Sequence, residues 1–499
     1  MKSLPIMVLL VASGAALAQP QQPAAAPSGR AESPRQATPA QAAMPLSPGT
    51  QVMTLEQAQR LLVERNLAVI AARRGVDSAR AQRLVASSLP PAVVSAGNTF
   101  GQFNEGGRPA AGSPNTANIT GARFLGLQNN VTVGLQVLVE LGGKRSLRTR
   151  LAEENIGAAE AQVLDALRSQ LYVLRQNFFT ALGARANLEV ALANRAGLDR
   201  TEALLRRQLR DGAIPEGDLL RFQASRVVFE SDVVTNAQAY AVAVAQIAVT
   251  LAADAADFRP GEPPAVPTRR GATSSDPVRA TLSAIAFDVQ GRFNTIPDLG
   301  IGREELGAAV QDRPDVVAAL RQASAAGANL ALAEAARWRD VTVNAGFART
   351  RLNQNVPSGT VPLLANDQFS MQLSVPIFTR RIVEGNVGVA AGQAGQADAL
   401  ARAALLQARA DFAIAWSAVE QSRNLLRVYT GGALARAEAA YRSAEQAYTA
   451  GGSSLLEVLD ALRTLNATRL AANLARTNYL VALAQLEQAT GVSGVSPRL

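Results

Sequence analysis

From Lys144 to Arg210, and again from Arg380 to Ala450, the chain contains no proline. Helical throughout, each stretch would reach on the order of 100 Å at ~1.5 Å per residue. Helices that long need a partner along their whole length. The sequence marks the seams. Leu167, Leu171, Leu174 and Phe178 follow a 4-3-4 spacing, and Leu405, Phe412, Val419 and Leu426 recur every seven residues. Both are coiled-coil signatures. Composition agrees: 48% of residues are hydrophobic but only 4% aromatic, and alanine, which favours helix, fills many neighbouring seam positions. A plainer source of that composition is base bias in the genome, since only Lys2 and Lys144 are lysines among 49 basic residues. Helical stretches near 54–88 and 218–253 together match the span of the first long helix. Those near 302–338 and 454–490 match the second. Two short helices stacked end to end would pair with each long one and build a tall, uniform wall.

The chain repeats itself. Each half orders a helix, an extended segment, a Gly/Asn-rich loop, a second extended segment, a very long helix, a glycine turn and a last helix. Gly212-Ala213-Ile214-Pro215-Glu216-Gly217-Asp218-Leu219-Leu220 corresponds to Gly451-Gly452-Ser453-Ser454-Leu455-Leu456-Glu457-Val458-Leu459, both G-x5-[DE]-[LV]-L. Leu135-Gln136-Val137 likewise corresponds to Leu373-Ser374-Val375. The expected organisation is a first repeat over 51–254 with a tip turn at 211–217, and a second over 301–491 with a tip turn at 450–454. Between them 255–300, rich in proline and glycine, reads as an irregular connector, and 492–499 as a tail.

The extended segments, about 92–104, 128–140, 341–350 and 368–378, alternate. Val131, Val133, Leu135, Val137 and Val139 interleave with Thr132, Gly134, Gln136, Leu138 and Glu140. Val341, Val343, Ala345 and Phe347 interleave with Thr342, Asn344, Gly346 and Ala348, and Phe369 to Ile377 repeats the pattern; 92–100 is less regular. Alternation over ~9–11 residues suits a strand with one face to lipid and one to a polar lumen. It also suits two amphipathic hairpins on a soluble domain. The first residues favour the membrane. Lys2, the apolar run Ile6 to Ala12 and Ala16-Leu17-Ala18 predict a secretory signal over 1–18, followed by a disordered Pro/Ala/Gln-rich leader over 19–50. Beyond them no run of about 18 uncharged apolar residues predicts a membrane-crossing helix, and without cysteine no lipid anchor is expected. Four strands cannot close a barrel, and open edges are not tolerated in lipid. The physics therefore asks for a homo-oligomer.

Assembled in this way, the chain resembles the TolC-type outer-membrane efflux family from about Thr54 to Gly491. The resemblance implies a mainly α fold with a membrane β-barrel contribution. Four strands per chain close a twelve-stranded barrel in a homotrimer, over a periplasmic tunnel of long coiled-coil helices, with the connector at the tunnel's equator. It implies the outer membrane of a Gram-negative bacterium, surrounding outer-membrane lipid, a periplasmic adaptor (membrane fusion) protein and an inner-membrane pump. Glu140-Leu141-Gly142-Gly143-Lys144-Arg145, at the first strand-to-helix junction, resembles a run in the heavy-metal branch, which serves resistance-nodulation-division pumps exporting divalent cations. Read from the residues alone, the run is a turn. Two glycines convert strand to helix, and Lys144 and Arg145 sit at the membrane boundary.

The chemistry is bounded by what is missing. Without cysteine or histidine there are no disulfides, thiolate sites, histidine ligands or histidine-based triads, so no enzyme, cofactor or resident metal is expected. The net charge of +9 is carried by arginines interleaved with acids, as on solvated helix surfaces, with no basic run interleaved with aromatics for nucleic acid. Gly142-Gly143-Lys144 fails as a phosphate loop, because Leu138 replaces the first glycine and Arg145 the Ser/Thr. The resemblance matches Glu457 and Asp460 to family acids at the tunnel's periplasmic entrance, where a trimer would form a cation-selective ring. The residues also allow a plainer role: Ser454 and Glu457 fit an S-x-x-E capping box, with acids at a helix N-terminus. Gly212, Pro215 and Asp218, with Gly451, Gly452 and Ser453, are expected to shape the tips and meet the adaptor. Ser453 stands where some family channels carry a basic latch residue, so different closing contacts are expected. The expected function is a passive duct for metal cations or small toxic compounds. Alternatives are protein or drug export by the same architecture, or a periplasmic coiled-coil scaffold without conductance.

Overall fold

The computed structural model of the chain describes residues 51–104, 124–253, 278, 281–282, 285–294, 299–356 and 359–497. The expected signal and leader lie outside these residues, as do most of the connector and the last two residues of the tail. The first half runs β1 (Val52–Met53), α1 (Leu55–Arg65), α2 (Leu67–Ser87), β2 (Val93–Asn104), β3 (Phe124–Val139), α3 (Lys144–Arg210) and α4 (Glu216–Thr250). After β4 (Asp288–Val289) come α5 (Arg303–Ala309), a 3-10 turn, α6 (Pro314–Ala335), β5 (Val341–Val356) and β6 (Gly359–Ser374). The chain then forms α7 (Arg380–Val428), α8 (Leu434–Thr449) and α9 (Leu455–Thr490). Along α3 pack α2 and α4; along α7 pack α6 and α9.

Three expected continuous helices are broken, each for a local reason. Asn66 separates α1 from α2: its backbone is extended, its side-chain oxygen accepts from Val69 N–H at 3.1 Å, and its amide donates to the Thr250 carbonyl at 2.8 Å. An asparagine that can cap and bridge at once competes with the helix it interrupts. Arg313 separates α5 from α6 because it precedes Pro314, which disfavours helical backbone at Arg313 and itself suits the first helical position. The stretch from Arg380 to Ala450 is not one helix. A π-turn over Tyr429–Ala433 divides it, with Gly432 at φ 123°, a conformation open to glycine alone among common residues. One described helix, α4, is long and apolar enough to cross a membrane by length and composition alone. Its apolar side, including Val233, Tyr240 and Ile247, packs into the core with Leu174 and Phe178 of α3.

The seams hold with one refinement. Leu174 and Phe178 are fully buried, and Leu167 and Leu171 half-buried beside them. On α7 the deepest positions are Ala408 and Ala415, with Leu426, Ala401 and Val419 also buried, while Leu405 and Phe412 are half-buried. Small residues therefore set how closely these helices approach. The extreme case joins the halves: a Cβ at Gly183 of α3 would lie 2.2 Å from Thr477 Oγ1 of α9. Gly183→Ala is expected to cost about 1–3 kcal/mol by overpacking. Adding Thr477→Ala should recover most of that cost, as a restored thermal midpoint in far-UV circular dichroism. A Gly183→Ala chain that melts like the native one would show that the contact is not tight in solution.

The strands form one antiparallel sheet in the order β2-β3-β5-β6. β3, β5 and β6 run beyond the expected limits at the hairpin ends, while β2 ends at Asn104 as expected. At its other end, β6 stops at Ser374 instead of 378. Pro376 cannot donate to a ladder, and Phe378 takes φ 58°. Across the sheet Val94, Leu135, Ala345 and Met371 form one row, and Ala96, Val133, Phe347 and Phe369 the next. Phe369 is 82% and Met371 79% exposed. The following row is polar: Asn98 and Val131 stand beside Arg349 and Asp367, whose side chains pair at 3.3 Å. On the opposite face Cβ atoms at Gly97, Gly134 and Gly346 would lie 2.7–2.9 Å from the hydroxyls of Thr132, Ser95 and Ser370. That face is small, polar and crowded, while the other is apolar and open.

Candidate functional site

The two tip turns are built alike. Asp211 ends α3, Gly212 follows at φ 71°, and the N–H groups of Gly212 and Ala213 return to the carbonyls of Leu209 and Gln208. Ala450 ends α8, Gly451 follows at φ 78°, and Gly451 and Gly452 return to Tyr448 and Ala447. Both are Schellman closures, which need a left-handed residue after the helix. An extended residue then starts the next helix: Pro215 (ψ 150°) for α4 and Ser454 (ψ 153°) for α9. The Ser454 hydroxyl accepts from Glu457 N–H at 3.4 Å, which is one half of the expected box. A complete box occurs elsewhere, between Thr54 and Gln57.

The fold brings the two tips to one end. Leu205 of α3, Phe222 of α4 and Leu459 and Leu462 of α9 bury together there, with Ile214 of the first turn and Leu455 after the second. Burial, and then the charge of Asp218, raise the Tyr448 hydroxyl above its usual pKa, so the acid of one turn sits beside the helix end of the other. Beside this cluster a cleft of about 360 Å³ opens between α3, α8 and α9, lined by Thr201, Tyr441, Arg442 and Leu462. Glu457 and Asp460 are both exposed, three residues apart on one face of α9, and neither makes an ion pair among the described residues. Ser453 Oγ is buried without a hydrogen-bond partner among them.

The junction residues divide in role. Gly142 and Gly143 are left-handed at φ 76° and 67°. Lys144 Nζ donates to the Trp338 carbonyl and to Asp340 Oδ1, both at 2.8 Å, and Leu141 N–H also reaches Asp340. Lys144 thus ties the start of α3 to the start of β5, whereas Arg145 is exposed. Glu140 and Arg148 form a two-point pair beside them. Sequence reasoning missed three polar joints. Asp288 of β4 is buried against Arg185 of α3 and accepts from Tyr240 of α4. Arg226 of α4 meets Asp199, Glu202 and Glu230; Glu202 is held below its usual pKa by a hydrogen bond from Gln223, against burial, with Arg226 and Arg206 adding to the effect. Arg313 is the third. Their longer-range partners carry no local signal, because they come from distant segments, although Arg226–Glu230 and Arg313–Asp315 are close in sequence. Among the described residues no group of three or more His, Cys, Asp or Glu could hold a metal ion.

Residues 306–492 match the model of the outer membrane efflux protein family. None of the curated protein sequences compared matches the chain. Among solved structures it is similar to CusC, in a study of folding and transmembrane channel formation, with 17% identity, TM-score 0.63 and coverage of 88% of this chain and 92% of that one. The Campylobacter jejuni CmeC outer membrane channel gives 16%, 0.68, 88% and 85%. The open-state MtrE outer membrane channel of Neisseria gonorrhoeae gives 19%, 0.64, 89% and 90%. At these identities the likenesses establish the fold, and the match over 306–492 supplies the sequence signature. Residues 306–492 therefore carry the signature of the outer membrane efflux protein family, and the described chain shares the fold of these outer membrane channels.

Proposed function

We propose that the chain is the outer-membrane channel subunit of a tripartite efflux system. It would be a passive duct carrying metal cations or small toxic compounds from an inner-membrane pump and periplasmic adaptor to the exterior. The observation that carries this reading is the sheet: one open apolar face, one small polar face, and unpaired outer edges on β2 and β6. In lipid those edges must be met by other copies, and three copies give the twelve-stranded barrel of the resemblance. In this reading 1–18 is a signal, 51–254 and 301–491 are the structural repeats, and the helices extend into the periplasm. Gly212, Pro215, Asp218, Gly451, Gly452 and Ser453 form the adaptor-facing tips. Glu457 and Asp460, exposed and unpaired, ring the entrance.

The resemblance of the Glu140–Arg145 run to the heavy-metal branch favours metal cations as cargo, although the Lys144 contacts also give that run a structural task. No enzymatic step is proposed, and a partner pump supplies the energy.

Planar-bilayer conductance of the detergent-extracted protein, with its mass measured alongside, tests the reading. Discrete cation-selective steps from a trimer are expected, while a soluble, non-conducting protein would establish the scaffold alternative. Glu457→Gln with Asp460→Asn is expected to bring the reversal potential under a salt gradient to near zero while the trimer persists. An unchanged reversal potential would leave these acids only their stabilising place on the first turns of α9.

A further inference from the structure

The end of the sheet where the long helices begin carries a second set of features, independent of the tips. Exposed apolar side chains gather there: Trp338 at 65%, Ile377 at 64% and Phe378 at 89%. Phe378 also has left-handed backbone, a costly conformation for a bulky residue. Basic residues stand at the same level. Four are matched one to one by acids: Lys144 by Asp340, Arg148 by Glu140, Arg380 by Glu384 and Arg337 by Glu334. Three are not. Arg145, Arg339 and Arg381 are exposed and make no ion pair among the described residues.

These three lie at the same end of the sheet. Lys144, adjoining Arg145, is bonded to residues 338 and 340 on either side of Arg339. Arg381 opens α7 a few residues after β6, the strand paired with β5. Helix stability does not explain two of them. Arg145 and Arg381 stand in the first turns of α3 and α7, where basic charge opposes the helix dipole and neither turn carries an acid. A planar guanidinium is suited to a phosphate diester, which it can bind through two parallel hydrogen bonds. Aromatic side chains at the same level settle at a headgroup boundary.

We infer that this rim binds the phosphate headgroups of anionic phospholipid in the adjacent membrane leaflet, through Arg145, Arg339 and Arg381, with Trp338 and Phe378 seated at the acyl boundary. The inference rests on the outer-membrane reading and adds a lipid preference to it.

The test reconstitutes the full-length protein into vesicles of phosphatidylethanolamine with 30% phosphatidylglycerol. It is then re-extracted, and retained lipid per protomer is measured by mass spectrometry. Phosphatidylglycerol is expected to be enriched over the vesicle composition. Arg145→Gln, Arg339→Gln and Arg381→Gln together should abolish that enrichment, each arginine contributing on the order of fivefold. Arg207→Gln, Arg210→Gln and Arg463→Gln remove equal charge near the tips and should leave it intact. Equal enrichment in both triple variants, or none in the native protein, overturns the lipid preference while leaving the channel reading standing. A native protein that does not insert into the vesicles overturns both.

Discussion

Arg313→Met is expected to destabilise the folded helical body by about 3–5 kcal/mol, the cost of removing one partner from a buried charge cluster. Arg313 is 3% exposed and joins several elements. Its guanidinium donates to Asp315 of α6, to Asp411 and the Ala408 carbonyl of α7, and to the Ala489 carbonyl near the end of α9. Asp315 also lies 3.7 Å from Arg168 of α3. Methionine fills much of the volume but leaves two carboxylates and a helix-terminal carbonyl without their donor. Adding Asp411→Leu should recover part of the loss, because that charge is then no longer stranded. If packing alone mattered, Arg313→Met would melt within about 1.5 kcal/mol of the native chain, as volume-conserving exchanges do.

Acid gives the same prediction a second readout. Burial would raise the Asp315 pKa, but the bond and charge of Arg313 outweigh it and hold the carboxyl below its usual range. A carboxyl lowered in the folded state adds stability above its unfolded pKa and loses it as pH falls through the folded value. Native thermal midpoints should therefore fall as pH drops from the ordinary carboxylate range toward the lower folded value. In Arg313→Met the lowering is removed, so this carboxyl's share of the acid loss should disappear and the gap between native and variant midpoints should narrow as pH falls.

How much of this was legible depended on where each residue's partners lie. The long helices, their seams, the alternating strands and both glycine turns could be read because their causes are local. Periodicity, left-handed glycine and the lack of proline act within a few residues. The Arg313–Pro314 break carried a local signal too, but the guanidinium's partners, near 408 and 489, carried none. Asn66 looked like any polar residue on a helix, and only the distant Thr250 carbonyl makes it a joint. The Gly431–Gly432 pair was visible, yet helical pattern on both sides concealed the π-turn. Strand ends were misjudged where pattern and pairing part company. Beyond Phe347 the apolar alternation lapses at Arg349 and Arg351, although the ladder continues to Val356. Within the candidate site the turns were readable, but the approach of Asp218 to Tyr448 and the tethering of Lys144 were not.

The strand-to-helix junction should be nearly as sensitive as Arg313, and there backbone strain can be separated from steric clash. Gly142 and Gly143 both have left-handed backbone, so alanine at either position should cost roughly 1–2 kcal/mol in conformation alone. Their surroundings differ. A Cβ at Gly143 would meet only Ser146 Oγ, at 3.4 Å, whereas one at Gly142 would lie 2.7–2.9 Å from three atoms of Trp338. Trp338 cannot give way freely, since its carbonyl and the nearby Asp340 hold Lys144. Moving it would loosen the contact between the first strand-to-helix junction and the start of β5. Gly143→Ala should therefore show strain alone, while Gly142→Ala adds an overpacking cost of about 1–3 kcal/mol, for a total of roughly 2–5 kcal/mol. In thermal unfolding followed by far-UV circular dichroism, Gly142→Ala should melt well below Gly143→Ala. Trp338→Ala should bring the Gly142→Ala chain only part of the way back toward Gly143→Ala, because the Cβ of residue 338, 2.8 Å from the added methyl, and the strain of φ 76° both remain. Equal midpoints for the two single variants would mean that the indole swings aside at no cost and that Lys144 does not fix it.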